Sequence, residues 1–126
     1  HPHPRLARRC STVNVIIAGS RTIDDYAFIE RAVETSNFLI KRVISGGARG
    51  VDKQGELWAK NHGIPCTVYR ADWEQFGKRA GAKRNRQMAD VADALIAVWT
   101  GSSPGTRDMI EVMEARGKLI HIEMVR

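Results

Sequence analysis

The feature that most constrains this chain is an alternation, from Val13 onward, of short β-branched runs with longer stretches of helical periodicity. That alternation is the pattern of βα units around a parallel sheet, because each strand must cross over through a helix before the next can run the same way. Strands are predicted over residues 14–18, 42–45, 66–70, 94–99 and 119–123. Each is nearly continuous in apolar residues, as strands covered on both faces are. Helices are predicted over 25–36, with Ile29, Ala32 and Val33 inward, and over 50–62, with Val51, Trp58 and Ala59 inward. Two more span about 82–92, with Met88, Val91 and Ala92 inward, and 106–116, with Met109, Ile110 and Met113 inward. Gly63 and Gly117 stand where helices stop, and Trp58 and Trp99 belong to the core. Right-handed crossovers then favour an α/β, Rossmann-like, doubly wound domain with strand order 3-2-1-4-5. In that order a crevice opens beyond strands 1 and 4, whose helices leave in opposite directions.

With 126 residues and 43% hydrophobic content, one domain over 13–126 accounts for the chain, preceded by a flexible basic leader over 1–12. No apolar run approaches the roughly 20 residues of a membrane helix, and the leader lacks the apolar stretch of a secretory signal, so a soluble, cytoplasmic protein with no membrane partner is expected. Cys10 and Cys66 have neither metal-type spacing nor the density of a disulfide scaffold, and His62 and His121 stand apart, so no metal site and no required cofactor are expected. The net charge is +6, of which Arg5, Arg8 and Arg9 supply three from the acid-free leader. The remaining excess gathers in Arg70, Lys78, Arg79, Lys83, Arg84 and Arg86, opposed locally only by Asp72 and Glu74. A local cluster suits a phosphate better than a duplex, although a solvated basic loop has the same composition.

Three glycine- and serine-rich turns border the expected crevice: Gly19, Ser20 and Arg21 after strand 1, the 45–52 turn after strand 2, and the 100–106 turn after strand 4. In the second, Gly46, Gly47, Arg49 and Gly50 lead into a helix, and glycines there would let main-chain N–H groups and the helix N-terminus approach an anion. Asp52 either favours the helix dipole or holds ribose hydroxyls. In the third, Gly101, Ser102, Ser103, Gly105 and Thr106 can surround an anion, and Thr106 can also cap the helix. Lys83, Arg84 and Arg86 fall in the opening turn of the third predicted helix, where positive charge opposes the macrodipole unless an anion is near. Arg84 is the leading candidate, since its guanidinium can grip phosphate with two bonds. Asn85 reads a sugar hydroxyl or base edge, or is a surface residue; Trp73, in the loop after strand 3, stacks on a base or packs back on the core.

These residues resemble the YspA-like branch of the SLOG superfamily. The resemblance rests on Gly19-Ser20-Arg21, the 45–52 run, Ala71-Asp72-Trp73, Gly77-Lys78, Ala80-Gly81, Arg84-Asn85 with Met88, and Gly105-Thr106, in order and over nearly everything from Val13 onward. It implies a nucleotide pocket lined by Ser20, Arg21, Gly46, Gly47, Gly105 and Thr106, and a homodimer as the expected assembly. The superfamily's relatives include the Lonely Guy phosphoribohydrolases, the Rossmann domain of DNA-processing protein A, and proteins thought to bind nucleotide-derived signals in conflict systems, some of them phage-encoded. Arg84 and Met88 reproduce the arginine and methionine of the Lonely Guy pattern. Its glutamate does not recur: Met109 holds that place, with Asp108 before it and Glu111 two residues beyond.

The expected function is therefore binding of a nucleotide or nucleotide-derived, phosphorylated small molecule, as sensor, carrier or sequestering protein. The alternative is an N-glycoside hydrolase or transferase acting on nucleoside monophosphates, in which Arg84 and either Asp108 or Glu111 would be catalytic. A third reading, single-stranded DNA binding through Arg84 and the basic leader, is less favoured.

Overall fold

The predicted alternation folds into a five-stranded sheet in the order β3-β2-β1-β4-β5, every adjacent pair parallel, in a computed structural model that describes residues 12–126. The leader as predicted, with Cys10 and its three arginines, lies outside the described residues, apart from Thr12, which opens the first strand. The strands are β1 (Thr12–Gly19), β2 (Leu39–Ser45), β3 (Cys66–Val68), β4 (Ala94–Trp99) and β5 (Leu119–Met124). The helices are α1 (Tyr26–Ser36), α2 (Val51–Asn61), the single-turn α3 (Trp73–Phe76), α4 (Ala80–Val91) and α5 (Pro104–Ala115), with a 3-10 turn over Gly77–Arg79.

Two cores follow from the period-2 alternation of the central strands. Val15 and Ile17 of β1 point to one face, where Val43, Ile96 and Val98 join Ile29 and Ala32 of α1 and Val51, Trp58 and Ala59 of α2. Ile16 and Ala18 point to the other, where Ile44, Leu95 and Ala97 meet Met88 and Ala89 of α4 and Met109, Ile110 and Met113 of α5. The helix after β1 and the helix after β4 thus lie on opposite faces, which opens a crevice at the C-terminal ends of those two neighbouring strands. Among the described residues no helix is long and apolar enough to cross a membrane.

Several sequence expectations are corrected. Only β4 is buried along its whole length; the edge strands β3 and β5 consist of exposed and half-buried positions, because each has a neighbour on one side only. β3 ends at Val68, two residues short of the predicted 66–70. Val91, expected inward, faces solvent at 43% exposure, and Ala89 takes its place in the core. Trp73 is the first residue of α3 instead of a loop residue, and Asp72 caps that turn by accepting the Gln75 main-chain N–H at 3.1 Å. α4 begins at Ala80, so Lys83 closes its opening turn while Arg84 and Arg86 sit beyond it, and the argument from the helix dipole does not apply to those two arginines.

Candidate functional site

Ser20 is the knot that ties the crevice together. Its N–H donates to Val98 O at 3.1 Å, its Oγ accepts the Thr100 N–H at 3.1 Å, and its carbonyl accepts the Val51 N–H at 3.2 Å. One residue therefore joins the ends of β1 and β4 to the start of α2, at 3% exposure. This crossing leaves no room for a side chain at Gly19 or Gly50. A Cβ on Gly19 would lie 1.8 Å from Val98 O, and one on Gly50 would lie 2.4 Å from Ser20 O. Gly50 also holds φ +73°, a conformation that L side chains rarely adopt. Both glycines are thus required by main-chain packing, whatever the crevice contains.

The cleft at this crossing has a volume of about 710 Å³, within the range of small-molecule sites. The turn after β1 contributes Gly19, Ser20 and Arg21; the turn after β4 contributes Ser102, Ser103, Gly105 and Thr106; α4 contributes Arg84, Asn85 and Met88. Ala48, Asp52, Trp73, Lys78, Asp108 and Met109 also line it. Most of the predicted residues are therefore brought together, and three groups are not. Gly46, Gly47 and Arg49 line an adjoining hollow of about 360 Å³, whose wall shares Arg21, Ala48, Trp73 and Arg84 with the cleft. Gly101 is outside the lining, turned at φ +95° against the Met124 side chain. Glu111 is exposed on α5 and also outside it.

The 45–52 turn is not the open amide cradle that its glycines predict. Gly47 N–H donates to Ser45 Oγ at 3.1 Å, Ala48 N–H to Asp52 Oδ2 at 3.1 Å, and Val51 N–H to Ser20 O. Asp52 is buried, and burial pushes its carboxyl above the ordinary range; the Ala48 N–H and the charges of Arg84 and Arg21 pull the other way. The third turn is different. Ser103, not Thr106, caps α5: its Oγ accepts from Thr106 N–H at 3.4 Å and from the Thr106 hydroxyl at 3.1 Å. Thr100 and Ser102 share a hydroxyl bond at 3.0 Å at the mouth.

Arg84 is held rather than loose. Its Nη1 donates to Gly46 O at 2.7 Å and its Nε to Asn85 Oδ1 at 3.1 Å, which leaves three of its five N–H bonds for another acceptor. Burial draws its pKa down, Asp52 opposes that, and Arg21 adds to it. Asn85, at 4% exposure, has both amide protons committed: besides accepting from Arg84, its Nδ2 donates to Gly105 O at 3.2 Å and to Asp108 Oδ2 at 2.9 Å. It is therefore neither a surface residue nor a free reader of a base, but the link that orients Arg84 and Asp108 at once. Trp73 is 53% exposed and its ring lies 3.4 Å from where a Cβ on Gly81 would stand, so it presents an open aromatic face at the mouth. Among the described residues no three His, Cys, Asp or Glu side chains gather as a metal site.

A family model described as YAcAr, the YspA, cpYpsA-related SLOG family, matches residues 13–76, just over half of the chain. The Gene 61 protein of Mycobacterium phage D29 is 40% identical over 81 residues, which cover 60% of this chain and 65% of that protein. The X-ray structure of DNA processing protein A from Streptococcus pneumoniae superimposes with a TM-score of 0.70 at 15% identity, over 93% of this chain and 52% of that one. The chain thus spans less than two thirds of each relative, and the second likeness is one of fold.

Proposed function

Because this chain belongs to the YspA, cpYpsA-related SLOG family, whose members are tied to nucleotide binding or processing, we propose that it binds a nucleotide or nucleotide-derived ligand in the cleft between β1 and β4. The observation that carries this reading is the convergence, on one cleft, of an open aromatic face at Trp73, a pre-oriented guanidinium at Arg84 and the hydroxyl-rich start of α5. A base stacks on Trp73, and its phosphate lies between Arg84, Arg21 and the Ser102–Gly105 stretch. Such a domain acts as a sensor, carrier or sequestering protein, and the family resemblance adds pairing of two copies to the proposal. Thermal unfolding against a broad nucleotide panel tests it. A ligand at a hundredfold over its dissociation constant adds about 2.7 kcal/mol of stability, and no stabilisation by any nucleotide overturns the reading.

One observation favours a second reading. Asp108 lines the cleft and is oriented by Asn85, so a carboxylate is available although Met109 occupies the glutamate's place. In N-glycoside cleavage that carboxylate would steady positive charge on the sugar as the C1′–N bond electrons leave with the base. Water would then form the new C1′–O bond and give up a proton, and the base would take up one. Free base released on long incubation with nucleoside monophosphates, and lost in Asp108→Asn, supports this reading; its absence at high protein concentration removes it.

A further inference from the structure

The hollow beside the cleft has an unusual charge balance. Arg21, Arg49, Arg70 and Arg84 all line it, and no acidic residue does. Two of these guanidiniums pack against neighbouring glycines, that of Arg84 beside the Asp52 carboxylate. A Cβ on Gly46 would lie 2.7 Å from Arg84 Nη1, and a Cβ on Gly47 would lie 3.3 Å from Arg70 Nη1, so neighbouring Cα atoms, about 3.8 Å apart, carry one guanidinium each. Arg21 is near enough to Arg84 to disfavour its charge. Among the described residues the side chains of Arg21, Arg49 and Arg70 make no ion pair or hydrogen bond, and Asp52, the one carboxylate that offsets Arg84, already accepts from Ala48. Arg21, Arg49 and Arg70 are exposed, so water and salt screen their like charges, and an anion placed between them gains several charge-assisted bonds at once.

We propose that this hollow is a second anion subsite, continuous with the cleft across Trp73 and Arg84, and that the ligand is a nucleotide carrying a further phosphate beyond the one held at the start of α5. The inference rests on the nucleotide reading above and narrows its ligand class. The shared walls supply the continuity: the four residues common to both cavities leave one connected surface from the start of α5 to Arg70. The further phosphate reaches the hollow either as part of a phosphate chain or as a separate group on the sugar, and both present the same dianionic oxygens to Arg49 and Arg70.

Calorimetric titration of the full chain tests this with a nucleoside 5′-monophosphate, the matching 5′-diphosphate and the matching 3′,5′-bisphosphate, using the base that stabilises the protein most. The readout is the ratio of dissociation constants, monophosphate over each doubly phosphorylated ligand. At least one ratio should be about ten or more, the effect of added charge-assisted bonds, and which ligand gives it distinguishes chain from separate phosphate. Arg70→Gln should bring that ratio down to about three or less, and Arg49→Gln serves as the second variant if the first unfolds. Ratios near one for both ligands, or a ratio that survives in both variants, overturn the inference while leaving the nucleotide reading intact. Tighter binding of a single-stranded oligonucleotide with both ratios near one also overturns it. If no nucleotide binds at all, it is the underlying reading that fails.

Discussion

The 45–52 and 100–106 turns look interchangeable on paper: each runs from a strand end to a helix start, and each is rich in glycine and serine. In the fold they do opposite work. The first turns the amides of Gly47, Ala48 and Val51 inward, to Ser45, Asp52 and Ser20, and braces β1, β2 and α2. The second offers Ser102 and Gly105 to the cleft while Ser103 caps α5. Glycine in a strand-to-helix turn therefore signals close main-chain approach, and whether the thing approached is a ligand or another turn depends on which neighbours can satisfy its N–H groups.

The strongest way to break this comparison is to add one methyl to each turn. Gly50→Ala must hold a left-handed φ and place a Cβ against Ser20 O, and should cost about 3 kcal/mol or more in denaturant unfolding. Gly105→Ala, with nothing within 4 Å of its Cβ, should change stability by less than about 0.5 kcal/mol. Equal losses would show that the two turns are alike after all. Next in size is Arg84→Gln, which should weaken nucleotide binding by about 2 kcal/mol, roughly thirtyfold, as measured by calorimetry. Trp73→Ala should lower the same affinity by about 1 kcal/mol, the low end for a base stacked on a half-open ring, with stability within about 0.5 kcal/mol of the parent.

The smallest effect concerns Asp52, the carboxyl inside the bracing turn. Burial holds its folded pKa above the ordinary 3.8, so the folded state binds the proton more tightly than the unfolded chain does. Its ionisation therefore costs stability progressively as pH rises from that ordinary value through the raised one. Asp52→Asn keeps an acceptor for the Ala48 N–H without the buried charge. It should melt above the parent at pH 7, with the gap closing as pH falls toward 4; a gap that widens on acidification would contradict the assigned direction.

The fold was largely legible because its signals are redundant. Val15, Ile16 and Ile17 in β1 and the six buried residues of β4 are apolar on both faces, as only central parallel strands are, and crossover handedness then leaves few orders. Edges were less legible: β3 lacks a second neighbour, and the pattern that continues into Tyr69 and Arg70 does not show where its pairing stops. α3 is too short for any periodicity, and only Asp72 three residues before Gln75 marks its start. At the site, residue types were readable but their partners were not. Nothing local shows that Asn85 reaches Gly105 and Asp108, some 20 residues away, or that Gly46 lacks a side chain because Arg84 and Asp52 fill its space. Glu111 stands one helical turn beyond Asp108, yet it is exposed on α5 and outside the cleft lining, which its spacing alone does not reveal.

The proposed nucleotide position lies between Trp73, Arg84 and the start of α5. Amide and indole NMR spectra of the isotopically labelled chain, titrated with the nucleotide that stabilises it most, test it directly. Shifts should concentrate at residues 19–22, 81–85 and 102–106 and at the Trp73 indole, with 63–65 and 116–118 at the far ends of the strands unmoved. Shifts centred on that opposite end, or a saturating ligand that leaves Trp73 and residues 102–106 unperturbed, would contradict it.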